Sequence, residues 1–182
     1  MDKAMTEERI WNVPVRVDDV RETGRHFDLR ADEPTRTRVA NAAEVPGISR
    51  LEASFDVTRH GADGLHVLGR VKATVAQTCV VTLEPMTSEI DEPVELVFSP
   101  SAQPTEPKLD DENLTHALDE PEPLVNGVVD LGALAIEFLL LAIDPYPRKP
   151  DAKFESPVAE DAAGHPFAAL AALKKGPGGA GN

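Results

Sequence analysis

Cys79 is the only cysteine in the chain, and what it can do depends on its neighbours. A thiolate can bind a metal, attack an electrophile or fill a core position. Ligation needs companions at close spacing, and Thr82, three residues on, offers a hydroxyl in place of a second sulfur. His60 and His66, the nearest histidines, fall across a strand with no ligand spacing. The thiol therefore reads as structural, because free cysteines are commonly buried. Metal or redox work is the lesser alternative. A lone cysteine also rules out an internal disulfide framework.

The five histidines, His26, His60, His66, His116 and His165, are scattered. Composition does not exclude a Ser-His-Asp assembly, but no nucleophile-elbow pattern is present. There is no glycine-rich phosphate loop. Glu137 stands among leucines and is a candidate buried carboxylate, whose pKa would rise unless a base paired with it. The favoured reading is the plainer one, that it faces solvent or meets an arginine. The sum is a non-enzyme with no catalytic residue, metal or cofactor. A metal-dependent or hydrolytic enzyme of unknown substrate is the alternative.

Binding chemistry is easier to find. Asp110, Asp111 and Glu112 lie in a stretch, 99–122, with seven carboxylates against the single Lys108. Such a stretch is expected to be a solvated loop able to meet a basic partner. Arg148, Lys149 and Lys153, with Lys174 and Lys175, form the one patch suited to RNA. Only Tyr146, Phe154 and Phe167 could add stacking there. The C-terminal HPFAALAALKK suits a helix laid in a partner's groove, presenting Phe167, Leu170 and Leu173.

These residues need a scaffold, and composition limits it. The chain has 182 residues with 41% hydrophobic and only 4% aromatic content, so a core must rest on aliphatic side chains. The net charge of −14 repels nucleic-acid backbones and anionic lipid. No apolar run reaches the roughly 18 residues that span a bilayer. The charged MDKAMTEERIW start lacks a secretory signal's apolar stretch, so a cytoplasmic location is expected.

The pattern along the chain predicts an α+β fold. A first strand is expected over 10–20, with Pro14 at an edge or a strand start. A short strand over 25–29 and a helix over 33–45 follow. Leu51, Ala53, Phe55 and Val57 alternate with polar residues, and the alternation resumes after a Gly61–Gly64 turn and again around Ile90–Phe98. Three such segments predict an antiparallel meander near 48–59, 65–78 and 89–98, open or barrel-like. Asp130 should cap a helix over 131–143 that is apolar nearly all round and so buried on the sheet. The organisation expected is one domain over 1–150, with an acidic loop at 99–125. A disordered tail with a short amphipathic helix should occupy 151–182.

The segment AQTCVVTLEPMTSEIDEPVELVFSP resembles the central signature of the YceD-like family, a Cys-x-x-Cys-Leu-x-Pro element leading to Phe-x-Pro. Cys79, Leu83, Pro85, Phe98 and Pro100 match it, whereas Thr82 replaces the second cysteine. VDLGALAIEFLLLAIDPYPR resembles the family's acidic-capped helix, matched by Asp130, Leu131, Glu137, Leu140 and Pro145. The Pro166-Phe167 ending, with Leu170 and Leu173, resembles its closing element. The resemblance implies support of large-subunit ribosomal RNA accumulation, without catalytic residues. The partner it implies is a ribosomal or ribosome-assembly protein. Direct RNA contact is left open, and neither DNA nor membrane is implied.

Overall fold

The computed structural model describes residues 10–102 and 121–154. The chain divides into a compact unit reaching Ala152 and a second unit starting at Lys153. The described strands and helices all belong to the first.

Strands β2 (Arg25–Arg30), β3 (Gly47–His60), β4 (Gly64–Thr78), β5 (Pro85–Ser99) and β6 (Glu122–Pro123) form one sheet in that order. The first four are antiparallel neighbours, and β6 runs parallel to β5. The meander expected from alternation is present. The sheet stays open, with β2 at one edge and β6 at the other, so barrel-like closure does not occur. Alternation works because successive side chains of a strand point to opposite faces. Leu51, Ala53, Phe55 and Val57 of β3 are buried beside Leu65, Val67, Val71, Ala73 and Val75 of β4. Gly69 lies opposite Phe55, and any side chain there would strike the Phe55 ring and the Ser54 carbonyl.

Two helices cover the inner face. In α1 (Glu33–Ala42), the Asp32 carboxylate accepts the Thr35 N–H at 2.9 Å and Pro34 occupies the first turn. This helix packs on β3 through Val39 and Ala40. It stops short of Val45 because Glu44 adopts a left-handed conformation, φ 54°. Helix α2 (Leu131–Ala142) begins at Asp130, whose carboxylate accepts the N–H groups of Gly132, Ala133 and Val13. Gly132 is needed because a side chain there would strike the Trp11 carbonyl. Leu131, Leu134, Ala135 and Leu139 are buried, and the helix packs on β4 and β5 as expected.

Helix α2 lies on the sheet as expected and keeps a solvent-facing stripe, with Leu140 and Leu141 exposed together with Glu137. A helix on an open sheet buries only the stripe that faces it, whatever the other stripe contains. The expected first strand needs correction, being much shorter than 10–20. Only β1 (Pro14–Arg16) forms, paired with β7 (Val128–Asp130) in a separate two-stranded ribbon. The chain then turns, with the Val20 N–H donating to the Val17 carbonyl, and the Arg59 guanidinium donates to the carbonyls of Val17 and Val20. No described helix is long and apolar enough to cross a membrane.

Candidate functional site

Of the residues matching the family signature, Cys79, Leu83 and Pro85 lie in or directly after the six-residue connection between β4 and β5. Cys79 opens it and is fully buried. Its N–H donates to the Glu84 carbonyl at 2.9 Å, and the Leu83 N–H donates to the Cys79 carbonyl at 2.9 Å. The sulfur accepts several hydrogen bonds. The Thr82 hydroxyl contributes most to lowering the thiol pKa, followed by the N–H groups of Lys149 and Thr82. Burial opposes them, and the balance lies at about 6. At the position of the family's second cysteine, Thr82 thus places a hydroxyl that lowers the thiol pKa.

A second loop, 143–150, is stitched to this turn. The Val80 N–H donates to the Pro147 carbonyl at 2.9 Å, and the Lys149 N–H reaches the Cys79 sulfur at 3.4 Å. The Lys149 ammonium pairs with Glu84 at 2.8 Å, which holds that carboxyl below its ordinary pKa. Beneath them Gln77, the buried polar residue of the described core, donates to the Asp144 carbonyl at 2.8 Å and accepts from the Ser88 hydroxyl at 2.7 Å. The exit of α2 is therefore tied to the sheet at several points.

Among exposed polar neighbours such as Thr82, Glu84 and Arg148, this framework presents three apolar side chains outward. Leu83 is 77% exposed and Tyr146 71%, and Val80, close to Leu83 in sequence, is exposed as well. Leu83 also has φ 59°, a left-handed conformation that costs an L-residue about 1–2 kcal/mol. Pro85 starts β5 opposite Thr78, Phe98 is half-buried opposite Leu65, and Pro100 is exposed after β5. Glu137 lies on the exposed side of α2, away from this turn in sequence and facing solvent. Asp110, Asp111, Glu112, Pro166, Phe167, Leu170 and Leu173 lie outside the described residues, as do His116, His165 and the acidic and tail segments expected there.

The outer face of the sheet holds the remaining chemistry. Across four strands, Arg30, Glu52, Lys72 and Asp91 stand in register, alternating in charge. Arg30–Glu52, Arg70–Asp91 and Arg50–Glu89 each close to 2.8 Å. A shallow hollow of about 710 Å³ lies between Arg30, Ser54, Arg70 and Lys72. Beside it, the Ser54 hydroxyl is 3.4 Å from His26 Nε2, and His26 Nδ1 is 2.7 Å from Asp56. These are the contacts of a Ser-His-Asp relay, which sequence alone does not place. Asp28, however, lies 3.3 Å from the same Nε2. Asp56 first, then Asp28, raises the His26 pKa, which favours imidazolium over the free base a relay requires. Ser54 also sits mid-strand between β2 and β4, so its flanking amides are engaged in ladders instead of free to hold an oxyanion.

Of three contributors to the stitched turns, Gln77 is not singled out by the sequence, and Thr82 and Lys149 are named there for other roles. Gln77 continues the inward parity of Val71, Ala73 and Val75, and that position is its only signal. Thr82 is visible as a missing ligand but not as a sulfur partner. Lys149 reads as a basic patch residue, yet its charge is spent on Glu84. Among the described residues no three His, Cys, Asp or Glu side chains converge as a metal cluster would require.

A family model described as "Large ribosomal RNA subunit accumulation protein YceD" matches residues 67–174. That span takes in most of β4, together with β5, both stitched turns and α2. No curated protein and no solved structure matches the chain.

Proposed function

The chain belongs to the YceD family, and from that membership we propose that it is a non-enzymatic cytoplasmic factor that sustains large-subunit ribosomal RNA through protein contacts. The family match over 67–174 carries this reading. Charge supports a protein partner over a direct hold on RNA, because −14 overall repels a phosphate backbone and attracts a basic protein. The solvent-facing apolar turn residues are likewise suited to a protein surface. The non-enzymatic half is supported by the competition of Asp28 for the His26 nitrogen and by the paired charges around Ser54.

Deleting the gene and sedimenting the ribosomal particles tests the reading. A loss of large subunits relative to small ones is expected, and an unchanged profile would remove the role. Purified protein should hydrolyse p-nitrophenyl acetate no faster than its Ser54→Ala variant. A Ser54-dependent rate would favour the hydrolase alternative instead.

A further inference from the structure

We propose that the stitched turns form a preassembled apolar knob, centred on Leu83 with Val80 and Tyr146, that docks into a basic protein of the large ribosomal subunit. The inference rests on the role proposed above and names the surface that would perform it.

Three observations point the same way. First, Leu83 holds a left-handed backbone conformation that glycine would adopt without strain, yet its side chain is 77% exposed. Folding alone favours glycine at such a site, so a leucine projected into water is suited to a contact outside the chain. Second, the knob is stiff. The Cys79 sulfur, the Val80–Pro147 hydrogen bond and the Glu84–Lys149 pair hold both loops before any partner arrives. A preordered surface loses little entropy on binding, and exposed Tyr and aliphatic side chains then serve as anchors.

Third, charge selects the occupant. The chain as a whole carries a net charge of −14, while Glu89 and Asp91 of the neighbouring β5 are already paired with Arg50 and Arg70. The ammonium beside the knob is already neutralised by Glu84. A basic protein complements that net negative charge, while RNA phosphates are repelled by it.

Leu83→Gly separates docking from folding. Individually purified large-subunit ribosomal proteins, and RNA extracted from the same subunits, serve as probes against the full chain. The proposal expects at least one ribosomal protein to bind the wild type. Leu83→Gly should weaken that binding at least tenfold while leaving Tm equal or higher. Val80→Ser should weaken it too, which keeps the test decisive if the glycine variant folds poorly. Equal binding by both variants would overturn the knob, as would the absence of any bound ribosomal protein. Knob-dependent binding of the naked RNA alone would overturn the choice of a protein occupant. These failures are distinguishable from failure of the role itself, which would show as normal large-subunit levels in the deletion strain.

Discussion

At the scale of the residue, the Cys79 sulfur is the most informative group. With Thr82 in the place of a second cysteine, hydrogen-bond donors surround a thiol whose pKa falls to about 6. Its ultraviolet thiolate absorbance should therefore titrate near that value in the folded chain. Thr82→Val, which removes the leading donor, should move the midpoint up toward the ordinary thiol value of about 8.5. An unmoved midpoint would show that the hydroxyl does not bear on the sulfur. Folding linkage follows with a definite sign. A depressed thiol pKa adds stability that is fully present above the unfolded value and is lost as pH falls through about 6. His26 acts oppositely. Its pKa is raised by Asp56 and then Asp28, so its contribution is fully present below the ordinary value of about 6.5 and is lost as pH rises through the higher folded one. The stability gap between wild type and His26→Gln should thus be larger at acid than at alkaline pH, and smaller in high salt. A gap independent of pH would mean that His26 does not clasp β2 to β3. None of this was legible in the sequence, where Cys79 and Thr82 suggest a broken metal motif and His26 lies thirty residues from Asp56. A hydrogen bond between strands becomes visible only once register is known.

At the scale of the element, legibility followed pattern length. Strands β3, β4 and β5 each carry fourteen or fifteen residues, long enough for alternation to show. Strands β6 and β7 have two and three residues and leave no such trace, and β1 kept only three of the eleven positions expected. The cap of α2 was readable because Asp130 acts through local geometry that the sequence carries, whereas the Asp32 cap of α1 was not singled out. The outer stripe of α2 was not readable, since Leu140 and Leu141 are as apolar as the residues that pack. Two substitutions probe the packing between elements. Leu139→Ala on the buried stripe should cost about 2–5 kcal/mol in denaturant unfolding. Gly69→Ala, which drives a methyl group against Phe55 and the Ser54 carbonyl, should cost about 1–3 kcal/mol. A neutral Gly69→Ala would contradict the close approach of β3 and β4.

At the scale of the whole molecule, an open sheet is covered by helices on one face and left wet on the other, with its strand-connecting turns tied to the exit of α2. The exposed ion pairs of the wet face contribute at most about 1 kcal/mol each, so they keep that face soluble more than they hold the fold. Rigidity and exposed apolar surface coincide at the turn between β4 and β5, which is where the proposed contact is placed. The measurement bearing most directly on this account is the ratio of large- to small-subunit ribosomal RNA in a deletion strain complemented with chosen variants. The account predicts a lowered ratio in the deletion, full restoration by a Ser54→Ala, His26→Gln double variant, and no restoration by Leu83→Gly expressed at wild-type level. A normal ratio in the deletion, or a double variant that fails to restore it despite being folded, would contradict a non-enzymatic factor working through protein contacts.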